Sequence, residues 1–368
     1  MKKYSLKKAG VFVMLIMIGA AALNAKTKSK TKSKAKYNLT VGYTSDNALS
    51  MPLNKIATAA GYLDSEDVKL KGVIVQETGA FESLSVGKLD AVFVEVITPI
   101  NYAIQGSDVV IFGGNVTGGM IAVARKGEAE ELRDLKNWKG KKLGAIRFSR
   151  TEVLARHVIK DDYGYIPGKD ITIVNVEDYS AVQLGVVKKN IDIGLVPSRF
   201  TESAESSGLE VLFPLTHIEP DYVCCRQTAF GKKIRSDRDS YVALLKSQIQ
   251  AYKIYSQDEP YVVELLTKET RQPYEWIKDQ LYNRKANGNV RYNPDPNYNG
   301  VLTVYDTMVD VKYIEPERPL ADFFDISLYA DALQSVIEEN PDDDFYKGLW
   351  NYFIEHNNKY PGFSYKAI

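Results

Sequence analysis

Arg147-Phe148-Ser149-Arg150-Thr151 puts two guanidinium groups and two hydroxyls at the start of a helical pattern that runs to Lys160. Unpaired N–H groups at a helix start and a forked guanidinium suit a sulfonate, a carboxylate or a phosphate. The same residues fit a plainer arrangement, in which Ser149 caps the helix and both arginines face solvent. Thr78-Gly79-Ala80 opens a second helical pattern, and Gly79 adds no bulk, so the backbone there can approach a ligand. An ordinary helix cap at Thr78 is the competing reading. Tyr43 and Tyr179 offer flat faces that stack on a ring or pack against their own sheets. Glu95 follows an apolar run and can accept from an amine or a ring N–H, or pair with a local Arg or Lys. Asn115 and Thr117 lie in a glycine-rich stretch, where a ligand contact and turn chemistry are both open.

Other residues point away from catalysis. Adjacent cysteines make a strained disulfide, and within a strand Cys224 and Cys225 would point to opposite faces. Two small buried thiols are therefore expected. His157, His217 and His356 show no ligand spacing, so no metal, cofactor or catalytic residue is assigned. Lys+Arg and Asp+Glu both count 47, yet residues 1–36 hold ten lysines and no acid. The body from Tyr37 onward thus carries 37 basic and 47 acidic residues, a net of −10. Nucleic-acid affinity comes mainly from phosphate neutralisation, so a body this acidic is a poor candidate for nucleic acid and no such partner is expected.

The elements that must carry these groups begin after an address. Lys2, Lys3, Lys7 and Lys8 precede an apolar run from Ala9 to Leu23, with small residues at Ala20-Ala21-Ala22 and Ala25. That order reads as a signal peptide over residues 1–25, since the run is shorter than the roughly 20 residues that span a bilayer. Residues 26–36 alternate Lys with Thr, Ser and Ala, a solvated linker. The region has no cysteine for a lipid anchor, so a soluble periplasmic protein is expected.

From Tyr37, short apolar runs alternate with helical patterns, which predicts an α/β fold. Leu39–Tyr43, Val73–Val75 and Leu89–Val94 read as strands, with a helix over Met51–Tyr62 and another capped by Thr78. A second set repeats the order: strands Leu143–Ile146, Ile171–Val174 and Ile191–Val196, with helices capped by Ser149 or Thr151 and by Ser180. Thr78 to Asp90 and Ser180 to Asp192 are both twelve residues apart. Two βαβαβ halves in register argue for two lobes. The first lobe is expected over residues 37–118 and 222–368, and the second over 119–221. The chain crossings fall near Gly113–Gly119 and Thr216–Tyr222. In open α/β sheets, ligands sit beyond the carboxyl ends of the strands. That rule selects Tyr43–Asn47, Thr78–Ala80, Glu95–Thr98, Arg147–Thr151, Asp178–Ser180 and Pro197–Arg199. The candidates taken from these loops include Asn47 and Ala80 in the first lobe and Ser180 and Ser198 in the second.

Several stretches together resemble a known family. Leu39-Thr40-Val41-Gly42-Tyr43, Gly61-Tyr62-Leu63, Ser83-Leu84-Ser85-Val86-Gly87-Lys88-Leu89-Asp90-Ala91 and Asp134-Leu135-Lys136-Asn137-Trp138-Lys139-Gly140-Lys141-Lys142-Leu143-Gly144 stand in its order. Asn190-Ile191-Asp192-Ile193-Gly194-Leu195-Val196-Pro197, Cys224-Cys225-Arg226 and Asp295-Pro296-Asn297 continue it. The series, over about residues 37–315, resembles type II periplasmic solute-binding proteins of ABC transporters. More narrowly, it is similar to the branch of taurine, aliphatic-sulfonate and nitrate receptors and thiamine-pyrimidine-synthase-like proteins. The resemblance implies a bilobed α/β fold with a two-crossing hinge, and a monomeric receptor that delivers a small organic molecule to an ABC permease and its ATPase. The ligand would be a sulfonate-like anion or a pyrimidine-type ring. Two other functions stay open: an enzyme like the thiamine-pyrimidine-synthase relatives, and a ligand sensor without a transporter. The stretch after Glu315 lies outside the match and reads as extra helices on the first lobe.

Overall fold

The computed structural model describes residues 35–43, 49–147, 149–166, 168–283 and 288–367, with backbone alone at Glu77, Thr78 and Asp161. The expected export segment, the linker up to residue 34, Asn47 and Phe148 lie outside the described residues. Among the described residues, eleven strands run in chain order: β1 (Tyr37–Tyr43), β2 (Val68–Ile74), β3 (Ala91–Glu95), β4 (Val109–Thr117), β5 (Met120–Arg125), β6 (Lys142–Ile146), β7 (Thr172–Val176), β8 (Ile193–Pro197), β9 (Leu209–Pro214), β10 (Val223–Phe230) and β11 (Arg291–Tyr292). They form two sheets, ordered β11-β4-β10-β3-β1-β2 and β7-β6-β8-β5-β9. In the first, β1 is parallel to both β2 and β3; in the second, β6 is parallel to both β7 and β8. Each sheet then takes one antiparallel strand between its third and fourth members: β10 between β3 and β4, and β5 between β8 and β9. The two sheets are thus built on one plan, as the repeated order of elements predicts.

The recurrence of an aspartate, Asp90 and Asp192, at matching places in the two sets has a physical cause. Asp90 accepts through Oδ2 from Thr40 N–H at 2.7 Å, while its own N–H donates to the Thr40 carbonyl at 2.7 Å. Asp192 does the same with Lys142, at 2.8 Å in both directions. In each sheet, then, a carboxylate just before the third strand clamps the first strand and fixes the register of the pair. Hydrogen bonds to charged groups are worth about 1.5–3 kcal/mol. Asp192 also holds Arg125 at 3.0 Å. Asp192→Ala is therefore expected to cost about 2 kcal/mol, read as a lower urea midpoint at unchanged m-value. A loss below about 0.5 kcal/mol, the ordinary range for a surface position, would refute the clamp.

Sequence and structure differ at several elements. Met51–Tyr62 is two helices, Pro52–Ala59 and Tyr62–Ser65, separated at Gly61, whose φ is +77°. The helix assigned to Thr78 starts at Glu77 with Gln76 before it, so Thr78 lies inside the first turn instead of capping it. The helix assigned to Ser180 is Tyr179–Val187, capped by Asp178, whose side chain accepts from Ala181 N–H at 2.7 Å. A carboxylate one residue before the helix serves its N–H groups better than a hydroxyl inside it. Ser149 does cap Arg150–Asp161, accepting from Glu152 N–H at 3.2 Å.

Gly113 and Gly114 belong to β4, not to a crossing. Gly114 is required for close approach: a Cβ there would stand 2.0 Å from the Asp295 carbonyl oxygen. Gly118 and Gly119 alone join β4 to β5, with φ of +74° and +80°, a conformation glycine adopts without steric cost. The return runs through residues 215–222 between β9 and β10. Beyond Glu315, Phe324 bridges to Ile111 of β4, and Ser327–Glu339 and Asp344–Asn357 supply Leu333, Trp350 and Phe353 to the core of the first sheet. Among the described residues no helix is long and apolar enough to cross a membrane.

Candidate functional site

Arg150, the first residue of its helix, has no exposed surface at all. One terminal nitrogen, Nη2, grips both carboxylate oxygens of Glu219, which lies in the return crossing. The guanidinium also lies over the Tyr222 ring, 4.8 Å from its centroid. Its Nε and Nη1 have no hydrogen-bond partner among the described residues. Burial works against the charge, but Glu219, Tyr222 and Glu95 outweigh it and raise the Arg150 pKa. The result is a fixed cation with two donors still to satisfy, which a buried polar group is expected to do.

Groups from both sheets surround it. Glu95 ends β3, and its charge acts on Arg150, Tyr179, Tyr222 and Tyr313. Tyr179 begins its helix half-buried, 6.3 Å from the Phe200 ring. Burial, reinforced by Glu95 and Cys224, pushes its hydroxyl well above the ordinary range. Tyr222 is completely buried, its hydroxyl has no hydrogen-bond partner among the described residues, and burial raises its pKa in the same way despite Arg150. Arg199 follows β8 and interacts electrostatically with Tyr179, Cys224, Tyr292 and Cys225. These residues stand at or near strand ends of both sheets and lie within electrostatic reach of one another.

The other candidates divide. Ser149 and Thr151 are buried and share a 2.6 Å hydrogen bond between hydroxyls, which stiffens the turn that presents Arg150. Gly79 faces open space, whereas Ala80 is fully buried in the core beneath it. Tyr43 lies over Gly72 of its own sheet: a Cβ at Gly72 would meet its ring at 3.0 Å. Asn115 is buried, and its carbonyl accepts from Asn293 N–H at 3.1 Å. Ser198 is buried, with its N–H donating to the Gly119 carbonyl at 2.9 Å. Ser180 is exposed. Asn47 and the Thr78 side chain are outside the described residues. Glu219, Tyr222 and Arg199 are not among the sequence candidates. Arg199 stands in a strand-end loop the sequence selects, and Glu219 and Tyr222 in the crossing it selects.

Cys224 and Cys225 depart from expectation. Both are half-buried, and their sulfurs lie 3.3 Å apart. β10 shifts register on both sides of Cys225, where it pairs with Glu95 of β3 and Val116 of β4. Such a bulge breaks the alternation that would otherwise send neighbouring side chains to opposite faces.

This architecture is found in known proteins. A ligand-binding component of an ABC-type import system from Staphylococcus aureus, solved with zinc bound, aligns with a TM-score of 0.64 at 17% identity, covering 81% of this chain and 99% of that one. The periplasmic aliphatic sulphonate binding protein of Escherichia coli aligns at 0.61 and 15% identity, covering 78% and 91%. The periplasmic nitrate-binding protein of Synechocystis PCC 6803 aligns at 0.62 and 14% identity, covering 81% and 88%. The chain thus has the periplasmic-binding-protein fold. No curated protein matches it in sequence. The model of the family described as "NMT1/THI5 like" matches residues 55–254, more than half of the sequence. The chain belongs to the NMT1/THI5-like family.

Proposed function

We propose that the protein is an extracytoplasmic solute-binding receptor of an ABC import system, and that its ligand is a small organic anion bound between the two sheets. The observation that carries this reading is Arg150, a fully buried guanidinium at a helix start with two donors that have no partner among the described residues. A sulfonate or carboxylate satisfies both with a fork of oxygens. Tyr179 and Tyr222 add flat apolar faces beside the cation, and Glu95 can accept from a donor elsewhere on the ligand, which suits an anion carrying an organic body. A pyrimidine-type ring, stacked on a tyrosine and bonded to Glu95, is the second reading. Two lobes, 37–118 with 222–368 and 119–221, would close about the Gly118-Gly119 and 215–222 crossings, and the closed monomer would dock on a permease with its ATPase. The likeness to binding components of import systems supports the reading. No step in this function calls for a nucleophile or a general base.

Thermal unfolding with taurine, longer alkanesulfonates, nitrate, hydroxymethylpyrimidines, riboflavin and amino acids tests it. A true ligand at about 100 times its dissociation constant stabilises by about 2.7 kcal/mol, a clear rise in midpoint. A sulfonate hit supports the anion reading, and a pyrimidine hit replaces it with the ring reading. No shift with any compound, after unfolding and refolding to strip carried-over ligand, counts against both.

A further inference from the structure

Cys224 and Cys225 have no role in ligand capture as described above, yet their arrangement is specific. The sulfurs are 3.3 Å apart at a β-bulge, half-buried and so within reach of solvent. Cys224 packs against the core of the second sheet while Cys225 pairs in the ladder of the first. The positive charges of Arg199 and Arg226 lie within electrostatic reach of both sulfurs. Tetrahedral thiolate metal sites use four ligands, and among the described residues no three His, Cys, Asp or Glu side chains are grouped to hold a metal ion. What two adjacent thiols can do by themselves is form a bond. A trans peptide holds neighbouring Cα atoms about 3.8 Å apart, whereas relaxed disulfides span about 4.4–6.8 Å. A bond between Cys224 and Cys225 is therefore strained, and strained disulfides are the labile ones.

We propose that Cys224 and Cys225 are a reversible redox site that exchanges with a small-molecule disulfide or the oxidised centre of a thiol–disulfide oxidoreductase. One cysteine thiolate attacks a sulfur of the incoming disulfide, whose S–S bond breaks to release the first thiol. The second cysteine, deprotonated, attacks the protein sulfur of the mixed disulfide and expels the second thiol. The two cysteines are oxidised, the incoming disulfide is reduced to two thiols, and the two protons pass to the departing thiolates. The sequence contains two cysteines in all, so an intramolecular product has a single assignment.

The test is to incubate the purified full chain with oxidised glutathione, quench with acid and measure the intact mass and the peptide holding both cysteines. The expected product has lost two hydrogen atoms, carries no glutathione, and returns to the starting mass with reduced glutathione. Cys224→Ser and Cys225→Ser should each retain one glutathione, because the resolving thiol is gone. Stable glutathione adducts on the unmutated chain, disulfide-linked dimers, or persistent thiols under conditions that modify the unfolded chain would each overturn the proposal. The unmutated chain decides the matter even if a serine variant fails to fold.

Discussion

Arg150→Ala should lower the stability of the protein by about 3–5 kcal/mol, the cost of removing one partner from a buried ion pair. The Arg150 side chain is fully buried and that of Glu219 is 15% exposed, so the orphaned carboxylate would find little solvent to replace its partner. The cation also lies over Tyr222, and a desolvated cation–π contact adds to the loss. Urea denaturation reads this as a lower midpoint at unchanged m-value. On the proposed function, binding of an anionic ligand disappears as well. Arg150→Lys separates the two effects: it keeps a charge for Glu219 but presents a point donor in place of a planar fork. It should recover part of the stability while leaving the anion weakly bound. A destabilisation below about 1 kcal/mol, typical of an exposed pair, would show that Arg150 and Glu219 are solvated. Full anion affinity in Arg150→Ala would remove Arg150 from the site.

Asp295→Asn should make the protein more stable at pH 8 and nearly unchanged at pH 4. Asp295 is 2% exposed; it accepts from Asn297 N–H at 2.8 Å and from Asn357 Nδ2 at 3.1 Å. Burial pushes its carboxyl from the ordinary 3.8 up to about 6, against the opposing pull of Asn357, Asn297, His356 and Arg226. The folded value lies above the unfolded one. The stabilising contribution is therefore fully present below about pH 4 and is lost as pH rises through about 6. That gap corresponds to about 3 kcal/mol. Asparagine keeps an oxygen for both donors and carries no charge to desolvate. The difference between the urea midpoints of the two proteins should therefore grow from pH 4 to pH 7 and then level off. Parallel curves across that range would show that Asp295 titrates normally.

What the sequence made legible follows its periodicities. The two sheets and their parallel cores follow from apolar runs, helix starts and the repeated Asp step. That step is legible because Asp90 and Asp192 perform one local task in both sheets. Caps were harder, since Gln76 and Asp178 precede the hydroxyls that look like caps. At the site, the strand-end rule finds the loop of Arg150 but not its partner. Glu219 lies 69 residues away in a connection without periodicity, and only the fold brings it to the guanidinium. The Cys224–Cys225 geometry was illegible for a related reason. Alternation along a strand is a local rule, whereas the bulge that breaks it comes from pairing β10 with strands more than a hundred residues earlier.

The position of β10 has a consequence for how the molecule is made. β3 and β4 are neighbours in sequence, yet each pairs with β10 and not with the other. Until residues 223–230 leave the ribosome, the first sheet has a gap one strand wide, about 10 Å between its flanking edges. Both edges then present unpaired N–H and C=O groups, and the sheet's loop-closure entropy remains unpaid until that late strand arrives. Folding of the first sheet is therefore postponed past the synthesis of the whole second sheet. In a nascent chain of this design the first sheet stays open until more than half of the 368 residues have been made.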